Sequence, residues 1–134
     1  MRIEEQVLSI EQAKHLQELG LNMSDACFCW CKGLHNDNNY HFTLNSNMLP
    51  EIVGTDSESV IPTYTLQEVW NKLPYKIKTP RYDILQLDFI DYELMYHDKE
   101  TGYVKHWETG KIIESAYEML CWVLENGYLK EDNK

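Results

Sequence analysis

The stretch "DACFCWCKGLH" sets Cys27, Cys29 and Cys31 at alternate positions, with His35 four residues after the last thiol and His41 a little further on. These residue types can hold zinc, or pair a thiol with an imidazole for nucleophilic catalysis. The spacing argues for something plainer. Alternate residues of a strand share one face, so the three cysteines line one side while Phe28 and Trp30 line the other. At roughly 3.3 Å per residue, Cys27 and Cys31 stand about 13 Å apart. That is too far for one ion that binds each sulfur at ~2.3 Å. The C-x₂-C knuckle usual in structural zinc sites is missing, and no second cysteine pair follows. The residues therefore read as packed thiols of a buried strand, with no cofactor expected. Cys29, Cys31, His35 and His41 form the set for a metal-binding or cysteine/histidine-dependent alternative. Cys121, between Leu120 and Trp122 in a helical pattern, reads as a small buried hydrophobe.

A second candidate is "DFIDYELMYHD", which crowds Asp88, Asp91, Glu93, His97 and Asp98 together. Paired carboxylates and hard-metal ligands have this composition. Here, however, the polar residues alternate with Leu87, Phe89, Tyr92, Leu94 and Tyr96, the pattern of a half-exposed sheet. A third candidate is "KLPYKIKTPR", where Lys72, Lys76, Lys78 and Arg81 occur without an acidic residue, although residues 82 to 98 carry five acids and no lysine or arginine. Such a basic strip either balances its acidic neighbour or orients an acidic partner. The chain contains no phosphate-cradling glycine loop, nucleophile elbow or zincin helix.

The elements that must position these residues follow from periodicity. Ile10, Ala13, Leu16 and Leu19 predict a first helix, entered through a Ser9–Gln12 capping box and ended at Gly20. Residues 26–32 and "YHFTLN" predict two antiparallel strands joined by a polar loop. Residues 46–62 lack a period and read as an irregular connection. Thr65 and Glu68 open a short second helix that ends before Pro74. "YKIKTPRYDILQLDF", the run around Leu94 and Tyr96, and "YVKHW" predict a three-strand meander, with a phase change at Ile90 and Asp91 and a hairpin at Gly102. Ile112, Ile113, Ala116, Tyr117, Leu120, Val123 and Leu124 form the apolar stripe of a last helix, stopped by Asn126 and Gly127. The expected class is α+β: an antiparallel sheet, made of a two-strand hairpin plus a three-strand meander, with about three helices on one face, in the order α-β-β-α-β-β-β-α.

At 134 residues the chain has the length of one globular domain over 1–134, and its 43% hydrophobic content supports a core of its own. Twenty-two acidic against twelve basic residues give a net charge of −10, a field that repels nucleic acid. An acidic nucleic-acid mimic is the one reading that charge leaves on that side. The start "MRIEEQVLSIEQ" lacks the basic and apolar regions of a signal peptide, and no run approaches ~18 apolar residues, so a cytoplasmic protein without membrane contact is expected. Four tryptophans and nine tyrosines supply residue types that anchor protein interfaces.

Three segments, "SIEQAKHLQELG", "PTYTLQEVWNKLP" and "AYEMLCWVLENGYL", resemble small uncharacterised proteins from phage and mobile-element segments of gut anaerobes. The resemblance implies an accessory protein and carries no activity or catalytic residue with it. The sequence thus leans towards a non-enzymatic module that binds another protein through an aromatic-bearing sheet face or the basic strip. Because no ligand set is complete, the purified chain is expected to fold without added metal. A thermal melt with and without chelator checks this, and loss of the transition on chelation would overturn the packed-thiol reading.

Overall fold

The computed structural model describes residues 6–33, 38–46, 48–49, 59–80, 84–90, 93–107 and 109–129. Among these the chain forms three helices and two antiparallel sheets, an α+β architecture. It gathers into two compact units, residues 1–68 and 69–134, and the boundary falls inside the second helix.

In the first unit, α1 (Ile10–Glu18) starts at Ser9, whose hydroxyl accepts from the Gln12 N–H at 3.1 Å while the Gln12 side chain accepts from the Ser9 N–H at 2.9 Å. This reciprocal box satisfies two donors that a helix start otherwise leaves unpaired. The helix ends where Gly20 takes a φ of +99°, so that the Leu21 N–H reaches back to the Leu16 carbonyl at 3.0 Å. Strands β1 (Phe28–Lys32), β2 (Tyr40–Leu44) and β3 (Val60–Thr63) make a sheet in the order β2-β1-β3. Strand β3 begins inside the stretch 46–62 that lacked a sequence period and ends one residue beyond it. Its composition hides it: Pro62 reads as a breaker, yet a proline is tolerated on an edge strand, where the lost N–H need not serve the ladder. The carbonyl of Leu8 accepts both the Trp30 indole N–H at 3.0 Å and the Thr63 hydroxyl at 2.9 Å. Two buried or half-buried polar groups are thereby satisfied at one point, and the segment before α1 is tied to β1 and β3.

Helix α2 (Leu66–Lys72) opens with the second box, the Thr65 N–H donating to Glu68 at 2.8 Å and the Glu68 N–H to the Thr65 hydroxyl at 3.2 Å. In the second unit, β4 (Lys76–Lys78), β5 (Ile84–Ile90), β6 (Glu93–His97) and β7 (Val104–Trp107) form a sequential four-strand meander. The run "YKIKTPRYDILQLDF" is two strands rather than one continuous strand. Pro80 follows β4, where its fixed φ and missing N–H suit a chain reversal better than a ladder. Asp91, at the expected phase change, lies outside the described residues, while β5 and β6 pair across it with Ile90 opposite Glu93.

Helix α3 (Ile112–Glu125) packs on β6 and β7 and buries Ala116, Met119, Leu120 and Val123 completely. The facing sheet residues are Ile77, Leu85, Leu87, Leu94 and Tyr96, which the register places on one side. Trp122 anchors the aromatic part of this layer, with ring centroids 5.9 Å from Tyr96, 5.6 Å from Trp107 and 5.2 Å from Tyr128. The Lys105 ammonium stands over Trp107 and Trp122 at 5.5 and 5.7 Å, an arrangement favoured by the negative faces of the indoles. Gly127, at φ +71°, ends α3, and the Tyr128 N–H returns to the Val123 carbonyl at 2.9 Å.

Leu120→Ala is expected to cost about 2–5 kcal/mol, because it opens a cavity at a fully buried position in the middle of the α3 face. Urea midpoints check this, and a loss below ~1 kcal/mol would mean that α3 does not cover the sheet tightly.

Candidate functional site

The antiparallel register turns the side of the second sheet opposite α3 into a lattice of polar and apolar side chains. Lys76, Gln86, His97 and Val104 lie side by side across the four strands, because Lys76 pairs with Gln86, Gln86 with His97 and His97 with Val104. The neighbouring row holds Asp88, Met95 and His106, and Lys78 stands opposite Ile84. Lys76 and Lys78 are exposed, and so are Ile84 at 53%, Val104 at 50% and Ile90 at 43%. Three large apolar residues thus share an open surface with two ammonium groups.

Diagonal neighbours on this face are linked in pairs. His97 Nε2 is 2.6 Å from Asp88 Oδ2, and His106 Nδ1 is 3.4 Å from Glu93 Oε1. Diagonal cross-strand positions lie within reach of long side chains, so both pairs follow from one register. The Asp88 carboxylate fixes the orientation of an imidazole whose side chain is only 12% exposed, a geometry able to hold or pass a proton.

Asp98 does different work. Its carboxylate accepts the backbone N–H groups of Ile84 and Glu100, each at 2.8 Å, and of Thr101 at 3.3 Å. These donors, those of Ile84 and Glu100 foremost, hold its pKa below the usual carboxylate value, and the charge of His97 acts in the same direction. Asp98 therefore ties the start of β5 to the β6–β7 turn. Among its described members, the acidic cluster noted in the sequence resolves into two histidine-linked carboxylates and one turn anchor. A shallow concavity of about 260 Å³ lies here, lined in part by Lys76, Gln86, His97, Asp98 and Thr101.

The basic strip is only partly gathered. Lys76 and Lys78 are on β4, Lys72 is in the last turn of α2, and Arg81 lies outside the described residues. A second concavity of about 390 Å³ follows β4 and is lined by Lys76, Ile77, Lys78, Ile84, Gly127 and Tyr128. The aromatic side chains of this sheet do not line the open face. Tyr96 and Trp107 turn towards α3, and the Tyr96 hydroxyl donates to the Pro74 carbonyl at 2.7 Å.

In the first unit, Cys29 and Cys31 are fully buried on β1 and pack with Leu49 and Val60. His41 stands directly opposite Cys31 on β2, while His35 lies outside the described residues. Among the described residues no group of three or more His, Cys, Asp or Glu side chains is placed to hold a metal ion. Burial pushes the Cys29 thiol up to about 11, helped by Cys31, and raises Cys31 as well. Cys27 differs from its expected place on the strand face: it precedes β1 and is exposed. Its backbone N–H donates to Glu68 at 3.1 Å, and a hydrogen bond from the thiol to that carboxylate, with the carboxylate's charge, raises the thiol pKa. All these shifts disfavour the thiolate that a nucleophile or metal ligand requires.

Iodoacetamide at pH 8 is expected to label Cys27 before Cys29, Cys31 and Cys121, and Glu68→Gln is expected to speed labelling of Cys27 by removing the charge beside it. Peptide mass spectrometry over time reads both. For Cys29 the folded pKa exceeds the unfolded one, so its contribution to stability is complete below about 9 and is lost as pH rises towards about 11. Urea midpoints are expected to fall over that window, less steeply in Cys29→Ala.

Comparison of the chain with protein-family models, curated proteins and solved structures finds no match in any of the three.

Proposed function

We propose that the chain is a non-enzymatic interaction module, an accessory protein of a phage or mobile element, that docks another protein on the open face of its four-stranded sheet. The observation that carries this reading is that Lys76 and Lys78 on β4, exposed Ile84 on β5 and exposed Val104 on β7 lie on one face of the sheet. Interfaces combine apolar area that loses water on docking with charges that select and steer the partner. The resemblance of three helical segments to mobile-element proteins supports the accessory role.

The competing readings have weaker support. A cysteine/histidine enzyme or metal protein built on Cys29 and Cys31 needs thiolates, whereas burial raises both thiols. A nucleic-acid mimic needs a face of negative charges only, whereas this face interleaves Lys76 and Lys78 with Asp88 and Glu93. The Asp88–His97 pair has a structural account, since Glu93 and His106 repeat the same diagonal link one row away.

Replacing Lys76 and Lys78 together by glutamate is expected to change stability by less than ~0.5 kcal/mol, as is usual for exposed charges. Recovery of a protein partner from lysate is expected to fall several-fold, and more clearly at low than at moderate salt. Equal recovery of the same partner by both proteins would overturn the open face as the docking surface.

A further inference from the structure

Among the described residues β4 is an edge strand with exposed Lys76 and Lys78, and its edge offers a more specific recognition device than the face beside it. Leu87 N–H donates to the Tyr75 carbonyl at 2.8 Å, and the register continues with Lys76 opposite Gln86, Ile77 opposite Leu85 and Lys78 opposite Ile84. In an antiparallel ladder, hydrogen-bonded and non-bonded pairs alternate. Tyr75 and Ile77 therefore direct their backbone groups at β5, and Lys76 and Lys78 direct theirs away from it. Because β4 ends the sheet among the described residues, these N–H and C=O groups point away from β5, and Lys76 and Lys78 are among the residues lining the concavity of about 390 Å³ that also includes Tyr128.

The side chains around that edge are sorted by face. Lys76, Lys78 and Ile84 lie on the open side, and buried Ile77 lies on the α3 side. Among the described residues lining this concavity the only charged groups are the two ammoniums. A strand added along this edge would continue the pleat, so its alternate side chains would fall beside the lysines and the others on the side of Ile77. We propose that β4 receives an extended peptide segment with carboxylates at alternate positions and apolar residues between them, bound by strand addition. This rests on the interaction-module reading and names the partner's chemistry.

Charge complementarity selects this occupant over a second copy of the chain. Edge-to-edge pairing of two β4 strands would bring lysines against lysines, the arrangement by which edge lysines ordinarily prevent self-association. An acidic strand puts opposite charges at those cross-strand positions instead. The chain's net charge of −10 repels such a segment at a distance, so recognition acts at contact range, within roughly one Debye length of ~8 Å at physiological salt.

The test is an NMR titration of the full ¹⁵N-labelled chain with a terminally blocked octapeptide that alternates glutamate and valine. Saturable shifts centred on the Lys76 and Lys78 amides are expected. A peptide alternating lysine and valine is expected to bind at least tenfold more weakly. In antiparallel addition the outward groups of β4 bond to the residues directly opposite them, so methylating the glutamate backbone nitrogens is expected to weaken binding at least tenfold, and methylating the valine nitrogens to have little effect. These arms use the unmutated protein, so no folding defect can produce them.

Equal binding of both methylated peptides would overturn strand addition, as would equal binding of the lysine peptide or shifts that map away from β4. A concentration-dependent dimer with shifts at Lys76 and Lys78 would assign the edge to a second copy and also overturn it. If no glutamate peptide bound at millimolar concentration while the Lys76→Glu, Lys78→Glu variant still lost its lysate partner, the edge inference would fall and the open-face reading would stand.

Discussion

The second sheet depends on one register, with Leu87 opposite Tyr96. Side chains alternate with period two, so a slip by a single residue would send Leu94 and Tyr96 to water and bring Glu93 and His97 under α3. Several independent contacts pin the phase. The Tyr96 hydroxyl reaches the Pro74 carbonyl, Asp98 gathers backbone donors from the start of β5 and from the turn after β6, and Trp122 packs against Tyr96 and Trp107. The same phase that fills the core also aligns the lysines, histidines and carboxylates outside it. Core and surface are two readings of one pairing.

Much of this was legible in the residues. Both capping boxes formed, because serine or threonine followed three residues later by glutamine or glutamate satisfies the first donors of a helix through local chemistry alone. Gly20 and Gly127 took the left-handed conformation that their positions after apolar stripes imply. The antiparallel pairing of residues 28–32 with 40–44 was likewise visible in their alternation. These features depend on neighbours within a few residues, where sequence carries the geometry directly.

What escaped the sequence depends on distant partners. Strand β3 is only four residues long and contains Pro62, and it becomes a strand by pairing with β1 some thirty positions earlier. The sorting of the strands into two sheets is also a long-range outcome, since either hairpin could in principle extend the other. The alternation in the acidic run marks a half-exposed sheet, but not the partner that each carboxylate takes. Asp88 pairs with His97, Glu93 pairs with His106, and Asp98 accepts backbone donors. Conversely, Cys29, Cys31 and His41 do come near one another on adjacent strands, but burial of the thiols pushes them away from the charged form that their chemistry would need.

The placement of β3 also bears on how quickly the two halves of the chain can organise. Every neighbouring pair in the second sheet is joined by a short reversal, as where His97 meets Val104. In the first sheet, Cys31 must meet Val60 across a segment about four times as long. By loop length alone, closing that span costs roughly 1 kcal/mol more chain entropy than closing the hairpin. Local contacts form early in small proteins and distant ones late. The meander can therefore assemble from nearest neighbours, while the β2–β1 hairpin keeps one side of its central strand unfilled until residues 60–63 arrive.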